Sequence, residues 1–538
     1  MRFRPPRSVE LLHELLHERT TSASKLDKTR WGSVTTSVRL SCYGLLMSGR
    51  REWDVVVVGG GAAGCVVAAR LAESGSRSVL LLEAGPDLRL NLPEELRNGW
   101  TIERELHDWG YQSEPHLGSP RPVRRKKLLG GTSWLTRFTP RGAPGDFNGW
   151  VAGGNPGWGF EEVLPYFIRL ETDLDFGSDP WHGEHGPMPS VRYLDQEHMP
   201  IVEAAVQALR AAGFPEAPDH NRPGAIGVGR MPMNTRAGVR VTTADAYLPV
   251  GGTPSNLTVR PNAQVDHVLF DGLNARGVRL LDGSEVEAGW VVLCAGTYGT
   301  PPILMRSGLG PPARLRDVGL EVTVDLPGVG ANLADHPSVP IDFGYAGAGR
   351  SEPILHSIAT FHSAHRSSQE TPDLMFWMAD PSEADPSFGM EVVLLRPRSR
   401  GEVRLRSADP AEAPLIKLPD LSDPSDMERL EEGYRRAVEV ANDSGVRRLC
   451  GGKTLKVPEN LGAAIRAVEY SVPHVVGTCS MGPTVEVGGV VDASGRVHGT
   501  ERLSIVDASI MPDVPSGFVH FPVIMLAERL SERIASQT

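Results

Sequence analysis

The stretch DVVVVGGGAAGCVVAARLAESG, Asp54–Gly75, decides the fold of the N-terminal region. It opens with four consecutive valines, the pattern of a strand that is buried on both faces. Gly59, Gly61 and Gly64 follow with G-x-G-x-x-G spacing and lead into a helix that starts at about Ala62. In this motif the first glycine permits a tight turn, the second admits a pyrophosphate and the third allows close helix packing. The stretch therefore predicts dinucleotide binding at a helix N-terminus.

A second apolar run, SVLLLEAG, follows the predicted helix and contains Glu83, 19 residues after Gly64. A carboxylate at the end of this strand can accept hydrogen bonds from the ribose hydroxyls of a dinucleotide. The order of strand, glycines, helix, strand and acid therefore predicts a Rossmann-like α/β domain. The motif alone does not distinguish NAD from FAD.

Length and charge restrict the class of protein. A chain of 538 residues exceeds what one hydrophobic core usually supports, so we expect two domains. The formal net charge of −11 argues against a nucleic-acid partner, which would require a basic face. The chain has no apolar run of about 18 residues, so we expect no transmembrane segment. Peripheral association with a membrane stays open.

Cysteine usage and the N-terminal segment bear on the location of the protein. The five cysteines form no CxxC pair, which favours a reducing cytoplasm. Residues 1–50 mix Arg, Ser and Thr without a continuous apolar segment, so a secretory signal is not expected. We interpret them as a disordered tail, or as an upstream extension of a gene whose working start is Met47. An organelle transit peptide is the alternative.

Further motifs follow one another along the rest of the chain. They are KKLLGGTSWLTRFTPRGAPGDFNGW (126–150), GWGFEEVLPYFIRLE (157–171), VVLCAGTYGTPPILMRSGLG (291–310), LPGVGANLADHP (326–337), LLRPRSRGEVRLRSADP (394–410), VPHVVGTCSMG (472–482) and SIVDASIMPDVPSGFVHFPVIMLAERL (504–530). Together they resemble the glucose–methanol–choline (GMC) family of FAD-dependent oxidoreductases. The resemblance extends from about Trp53 to the C-terminus.

The resemblance implies an α/β FAD-binding Rossmann-like domain with an inserted α+β substrate-binding domain. Strand patterns that recur at residues 291–296 and 503–509 agree with a first domain that is interrupted and completed late in the chain. We expect the FAD-binding domain to comprise residues 51–150, 241–337 and 466–538. The substrate-binding domain would comprise residues 151–240 and 338–465, with the substrate pocket at the domain junction.

The cofactor implied by the resemblance is FAD, bound without a covalent link. Some relatives attach FAD through a histidine in the second glycine-rich loop, and the matching residue here is Leu135, which has no nucleophilic atom. Thr136 stands where the family usually has asparagine, so the flavin contact at that residue stays open. The residues that we expect to bind the cofactor are Gly59, Gly61, Ala62, Ala63, Gly64, Glu83, Ala84, Gly130, Gly131, Thr132, Ser133, Val265, Ala295, Gly296, Asp507, Ala508, Phe521 and Pro522.

The stretch VPHVVGTCSMG is compatible with three interpretations: a metal pair, a cysteine nucleophile with its base, and a proton acceptor. No further Cys or His stands nearby to complete a zinc site. Nothing in the sequence activates Cys479 as a thiolate, so a buried structural cysteine is expected. An imidazole suits removal of an alcohol proton near neutral pH, and the family has its base at the position of His474. We therefore expect His474 to be the general base.

The second polar residue of the family pair corresponds to His520, which we expect to orient the substrate hydroxyl. It precedes a predicted final helix, for which Pro522 suits the first turn. The spacing of Val523, Ala527, Leu530 and Ile534 predicts one inward face of that helix.

Two other conspicuous stretches receive simpler interpretations. WHGEHGP contains His182 and His185 but no further ligands in the sequence, so no metal site is expected there. The basic run RPVRRKK, residues 121–127, is typical of a solvated face.

The sequence as a whole predicts an FAD-dependent alcohol oxidoreductase, similar to choline dehydrogenase, that acts on a small alcohol. Oxygen or a quinone-like carrier would accept the electrons. The alternatives are a flavin-containing lyase of the same fold, a flavin-binding protein without turnover, an NAD-linked dehydrogenase, and a mycofactocin-associated alcohol dehydrogenase. The sequence does not identify the alcohol.

Overall fold

The computed structural model of the protein describes residues 52–115, 119–364 and 371–537. The predicted N-terminal tail, residues 1–50, lies outside the described residues, as does Cys42. In the part of the chain that the structure describes, no helix combines the length and the apolarity needed to span a membrane.

The first sheet is built around the valine strand Trp53–Val58, whose last four residues are almost inaccessible. It pairs in parallel with Val79–Leu82 on one side and with Glu285–Leu293 on the other. The sheet order is Leu257–Arg260, Val79–Leu82, Trp53–Val58, Glu285–Leu293, Asn274–Leu280 and Val265–Asp271, and Leu503–Ile505 also pairs with Glu285–Leu293. The two late strands predicted at residues 291–296 and 503–509 thus lie side by side in parallel. The Rossmann-like α/β prediction is confirmed.

Helices cover this sheet and explain why its strands are continuously apolar. The main ones in this core are Ala62–Ala72, Phe160–Leu170, Gly296–Arg306 and His520–Ala535. The helix after the glycines begins at Ala62, as predicted. Phe160–Leu170 packs against the final helix, although it belongs to the segment predicted for the substrate-binding domain.

The final helix differs from its prediction. It begins at His520, so Pro522 does lie in its first turn. The residues predicted to face inward, Val523, Ala527, Leu530 and Ile534, are all buried. Burial is not limited to one face, however, because every residue from His520 to Ser531 is buried. Burial of the Glu528 carboxylate is compensated by an ion pair with Arg70 at 2.8 Å and a hydrogen bond from Tyr247 at 2.7 Å.

The second sheet is antiparallel and has its own hydrophobic core. Its order is Tyr470–Ser471, Pro337–Asp342, Gly389–Leu394, Leu374–Ala379, His356–Phe361 and Gly227–Arg230. The helix Pro424–Ala441 packs on this sheet and matches the helix pattern DMERLEEGYRRAVEVA. Tyr470–Ser471 falls in a segment predicted for the FAD-binding domain, so the exact domain boundaries stay a prediction.

Shorter elements connect and flank the two sheets. The helices are Glu94–Arg97, Pro144–Ala152, Pro200–Ala211, Thr243–Tyr247, Pro312–Asp317, Ser444–Leu449 and Leu461–Val468, with 3₁₀ turns at Gly131–Trp134, Val485–Val487 and Ala508–Ile510. The strand pairs are Tyr111–Gln112 with Pro122–Val123, Glu171–Asp173 with Met188–Ser190, Thr235–Arg236 with Val239–Arg240, Leu309–Gly310 with Val324–Asp325, and Glu402–Arg404 with Leu415–Lys417.

Candidate active site

Five parallel strands of the first sheet end at one edge, where Arg260 lies opposite Leu82. Val58 lies opposite Leu82 and Leu293, and Leu293 lies opposite Ile505. In open α/β sheets ligands bind outside the carboxyl ends of such strands. The predicted cofactor residues that directly follow these strand ends and keep accessible surface are Gly59, Gly61, Ala62, Ala84, Ala295, Gly296 and Ala508. The strand register thus brings together residues that are hundreds of positions apart in the chain.

The two glycine-rich loops meet at this edge. The Gly130 N–H donates to the Gly60 carbonyl at 2.7 Å, and a Cβ added to Gly131 would lie 2.7 Å from the Gly61 Cα. A Cβ on Gly64 would lie 1.8 Å from the Gly59 carbonyl oxygen, which shows how closely the helix approaches the loop. A Cβ on Gly61, in contrast, would meet no atom within 4 Å. The helix therefore begins beside open space, which fits a pyrophosphate.

Two predicted carboxylates hold the loops in place. Glu83 accepts hydrogen bonds from the N–H groups of Gly60 at 2.8 Å and Gly85 at 2.7 Å. Asp507 accepts hydrogen bonds from the Gly296 N–H at 2.8 Å and the Thr300 hydroxyl at 2.6 Å. Each carboxylate oxygen can accept more than one hydrogen bond, so these contacts leave acceptor capacity for a cofactor.

Other predicted cofactor residues are enclosed. Ser133 has no accessible surface, and its hydroxyl donates to the Gly130 carbonyl. Phe521 is likewise fully buried, and Ala63, Val265 and Pro522 are buried in the same core. Contact of Ser133 and Phe521 with a cofactor therefore stays a prediction. Thr132 stays partly accessible.

His474 is positioned by long-range strand pairing. Pro337 pairs with Ser471, and the Val472 N–H donates to the His336 carbonyl at 3.0 Å, so the chain on either side brings two histidines together. The Nδ1 atoms of His336 and His474 lie 3.0 Å apart. Burial, then the nearby His336 and Arg125, lower the pKa of His474 well below its ordinary value. The imidazole is therefore neutral at neutral pH and able to accept a proton.

Two further residues, Asp335 and His336, are candidates for the site, although they were not among the residues predicted from the sequence. Asp335 accepts the His474 N–H at 2.7 Å and the Ser471 hydroxyl. Burial raises the pKa of Asp335 to about 6. Both residues are part of the motif LPGVGANLADHP, which was the only sequence signal for them.

His520 is the first residue of the final helix. Phe518, two residues earlier, packs against the His474 ring with a centroid separation of 4.4 Å. Burial, followed by the positive charge of Arg240, lowers the pKa of His520 to about 3. The His520 Nε2 is buried and has no hydrogen-bond partner within the described ranges. A buried polar atom without a hydrogen-bond partner destabilises the folded protein unless a bound molecule supplies the hydrogen bond.

An aromatic cluster extends from His474 into the second sheet. Phe518 packs on Phe138 at 5.5 Å and on Trp377 at 5.8 Å between ring centroids. Trp377 Nε1 donates to His356 Nδ1 at 3.0 Å, and burial lowers the pKa of His356 well below its ordinary value. The cluster is therefore uncharged at neutral pH.

Two buried arginines stand behind this cluster. Arg137 donates to the Trp100 carbonyl, and Arg240 donates to backbone carbonyls that include that of Thr136. Neither guanidinium has a carboxylate partner among residues 52–115, 119–364 and 371–537. Burial lowers the pKa of Arg137 to about 9 and that of Arg240 to about 10, so both stay protonated at neutral pH. Two positive charges are thus buried behind the aromatic cluster.

The basic run RPVRRKK is not the solvated face that was predicted. Lys126 is buried and forms an ion pair with Glu103 at 2.7 Å. Arg125 donates to the Pro473 carbonyl at 3.3 Å, next to His474, and lies over the Tyr298 ring. The prediction was wrong because these side chains contact residues that are distant in the chain, and the local charge pattern does not reveal such contacts.

His182 is surrounded by carboxylates, so the expectation that it lacks further ligand groups was wrong. Its Nδ1 lies 3.0 Å from Glu171 and 3.1 Å from Asp173, and its Nε2 lies 2.9 Å from Asp219. Arg192 also pairs with Asp173 at 2.9 Å. Although burial opposes the charge, the hydrogen bonds to Asp173, Asp219 and Glu171 raise the pKa of His182 to about 10. The imidazolium already occupies the position that a cation would take.

Cys479 is a free, fully buried cysteine. Burial, with the charge of Asp507 as a smaller cause, raises the pKa of its thiol well above the ordinary value. A protonated thiol is a poor nucleophile, which agrees with the structural role expected for it.

Comparison with known proteins agrees with this geometry. Two parts of the chain, residues 53–338 and 397–527, match models described as GMC oxidoreductase. The 5-(hydroxymethyl)furfural oxidase of Methylovorus sp. (strain MP688) is 33% identical in an alignment that covers 90% of this chain and 99% of that relative. The oxygen-dependent choline dehydrogenase of Paraburkholderia phymatum is 33% identical in an alignment that covers 90% of this chain and 92% of that relative.

Solved structures give the same result. The crystal structure of pyridoxine 4-oxidase from Mesorbium loti superposes with a TM-score of 0.81 at 30% sequence identity, and the match covers 90% of this chain and 99% of that one. Together with the family models, this similarity along nearly the full length of the relatives shows that the chain belongs to the GMC oxidoreductase family.

Proposed function

We propose that this protein is an FAD-dependent oxidoreductase that removes a hydride from the CH–OH group of an alcohol. His474 acts as the general base and His520 orients the substrate hydroxyl. The observation that carries the proposal is the geometry of the two histidines. His474 is held between His336 and the Phe518 ring, and His520, two residues after Phe518, has a buried ring nitrogen without a partner in the described residues. A neutral imidazole can accept the alcohol proton, and the free His520 nitrogen can hydrogen-bond the alcohol oxygen.

FAD is the cofactor that the site supports. The pyrophosphate of FAD would lie against Gly59, Gly61 and the N-terminus of the helix Ala62–Ala72. The ribose would bind to Glu83. Bound FAD would supply a hydride acceptor at its N5 atom. The start of the final helix would direct its positive end at the flavin. The protein groups supply the proton acceptor, the orienting contacts and the exclusion of water.

The surroundings of His474 favour an uncharged alcohol attached to an aromatic ring. Apolar ring surface is offered by Phe138, Trp377 and Phe518. The guanidinium groups of Arg137 and Arg240 add positive charge and bind backbone carbonyls rather than carboxylates in the described residues. Two relatives are named for (hydroxymethyl)furfural and pyridoxine, alcohols whose CH₂OH group is bonded to an aromatic ring.

The decisive experiment mixes the yellow holoprotein anaerobically with benzylic, furanic, aliphatic and polyol alcohols. Bleaching of the flavin by any of them supports the proposal and identifies the substrate class. Air or a quinone-like dye is then added, and re-oxidation by air identifies an oxidase, whereas re-oxidation only by the dye identifies a dehydrogenase. An unbleached flavin with every alcohol would contradict the proposal and favour the lyase or the non-catalytic flavoprotein.

Choline should be a much poorer reductant of the flavin than its neutral isostere 3,3-dimethylbutan-1-ol. Each buried guanidinium would oppose the quaternary ammonium by about 1–2 kcal/mol at an effective dielectric constant of about 20, and the Asp335 carboxylate beside His474 would offset about one of these two charges. The net effect is an apparent second-order rate constant of reduction that is roughly 10-fold lower for choline. Stopped-flow reduction with the two alcohols at equal concentrations measures the ratio. Equal rates, or a preference for choline, would exclude a positive pocket.

The flavin is expected to be non-covalent. Leu135, at the position of the attachment histidine of some relatives, caps the turn Gly131–Trp134 and carries no nucleophilic atom. Precipitation with acid should therefore release all the yellow colour into the supernatant. Yellow colour that stays with the washed pellet would contradict this expectation, and mass spectrometry of the chain would then locate the link.

A further inference from the structure

The imidazoles of His336 and His474 form a direct hydrogen bond through identical atoms. Their Nδ1 atoms are 3.0 Å apart, and the rings are perpendicular with centroids 5.2 Å apart. Two ring nitrogens can share a hydrogen bond only if one carries the proton and the other presents its lone pair. The direction of this bond therefore determines which nitrogen of His474 is free.

The contacts of the other ring nitrogen of His336, Nε2, determine the direction of the hydrogen bond between His336 and His474. His336 Nε2 lies 3.1 Å from the Leu395 carbonyl oxygen, and the Pro515 carbonyl also faces the ring. A carbonyl oxygen only accepts, so the Nε2 of His336 must carry a proton. Burial lowers the pKa of His336 to about 4, so at neutral pH the ring holds that single proton and its Nδ1 is a bare acceptor.

We propose that His336 is a positioning residue that holds His474 in the tautomer with a protonated Nδ1 and a free Nε2. The inference rests on the proposed function, in which His474 takes the alcohol proton. In that step the alcohol O–H bond would break and an N–H bond would form at the Nε2 of His474. Bound FAD would accept the hydride from the carbon that bears this oxygen, which yields a carbonyl product. The opposite tautomer of His474 would present an N–H group at Nε2 and could not accept this proton.

The neighbouring groups favour this neutral pair. Arg125 faces His474, and Arg396 faces His336, so the added positive charge opposes protonation of either ring in the resting protein. Asp335 contacts the backbone N–H of His474 rather than its ring, at 2.7 Å. When His474 accepts the alcohol proton, its ring becomes positively charged. The hydrogen bond that its Nδ1–H group donates to His336 is then charge-assisted, so this hydrogen bond is stronger during proton transfer than in the resting protein.

Two substitutions of His336 separate tautomer control from packing. In His336→Gln the amide oxygen can accept from His474 Nδ1 while the amide N–H₂ donates to the Leu395 carbonyl. His336→Leu retains apolar bulk but offers no acceptor. We expect the leucine variant to reduce its flavin roughly 10- to 10³-fold more slowly at saturating alcohol, with little change in the alcohol dissociation constant. The glutamine variant should recover most of the rate. Equal losses of flavin-reduction rate in both variants, or no loss of rate in the leucine variant, would overturn the proposal.

A spectroscopic measurement tests the tautomer without turnover. Histidine labelled with ¹⁵N in the ring is incorporated into the full-length holoprotein, and the His474 signals are assigned by their loss in His474→Ala. At neutral pH the Nδ1 of His474 should show the shift of a protonated nitrogen and its Nε2 that of a bare one. In His336→Leu this pattern should change or average. The reversed pattern in the wild-type protein would refute tautomer control, whereas failure of every alcohol to bleach the flavin would refute only the proposed function.

Discussion

Replacing His474 by alanine is expected to slow anaerobic reduction of the flavin by alcohol by roughly 10²–10⁴-fold, the usual contribution of a general base. The variant removes the only proton acceptor proposed for the hydroxyl, while His520 keeps the contact to its oxygen. FAD should stay bound, because the glycine loops and Glu83 lie at the strand ends and are unchanged. Stopped-flow absorbance of the flavin measures the rate, and the flavin-to-protein ratio checks the cofactor.

The rate of flavin reduction in the wild-type protein is expected to fall at acid pH. The pKa of His474 is lowered, so the imidazole stays deprotonated through neutral pH and accepts protons there. The rate should therefore be nearly constant around neutral pH and fall only as the pH drops through the depressed pKa of His474. In His474→Ala this acid limb should disappear.

His520 provides the matched comparison. His520→Ala removes an orienting contact but leaves the base, so its loss of rate should be smaller than that of His474→Ala. His520→Asn keeps a hydrogen-bonding group and should lose less still. If His520→Ala abolishes flavin reduction while His474→Ala reduces at nearly the wild-type rate, the two roles are exchanged and His520 is the base.

The second large effect is expected from Gly61→Ala, which should impair FAD binding without unfolding the protein. Gly61 has an extended backbone, and a Cβ there would meet no protein atom within 4 Å, so the apoprotein should retain its stability. The added methyl group would instead enter the space that we assign to the pyrophosphate. Overpacking of this kind costs about 1–3 kcal/mol, which corresponds to a roughly 10- to 10²-fold weaker affinity. Titration of apoprotein with FAD measures it.

Two other glycines provide controls for this variant. Gly149 lies in the helix Pro144–Ala152 with no atom near its added Cβ, so Gly149→Ala should bind FAD normally and be slightly more stable. Gly64→Ala should fail to fold, because its Cβ would collide with the Gly59 carbonyl. Normal FAD affinity in Gly61→Ala would show that the pyrophosphate does not lie beside this residue.

The amino-acid sequence by itself determined the dinucleotide-binding unit. The buried valine strand, the glycine spacing, the helix start at Ala62 and the acid at Glu83 all occur within a short segment. These features depend on backbone conformations and close approaches between neighbours in the chain, and such requirements restrict the residue type at each position. The motifs that follow also identified the family and predicted both histidines.

Only the tertiary structure decided what surrounds those histidines. His336 and His474 are 138 positions apart, and the pairing of Pro337–Asp342 with Tyr470–Ser471 brings them together. The same holds for the aromatic cluster, for burial of Lys126 and for the carboxylates around His182. Local periodicity and charge carry no information about such contacts, because the partner of a buried polar group is set by strand register and packing. The chemistry of an imidazole follows from its residue type, but its pKa and tautomer follow from its neighbours.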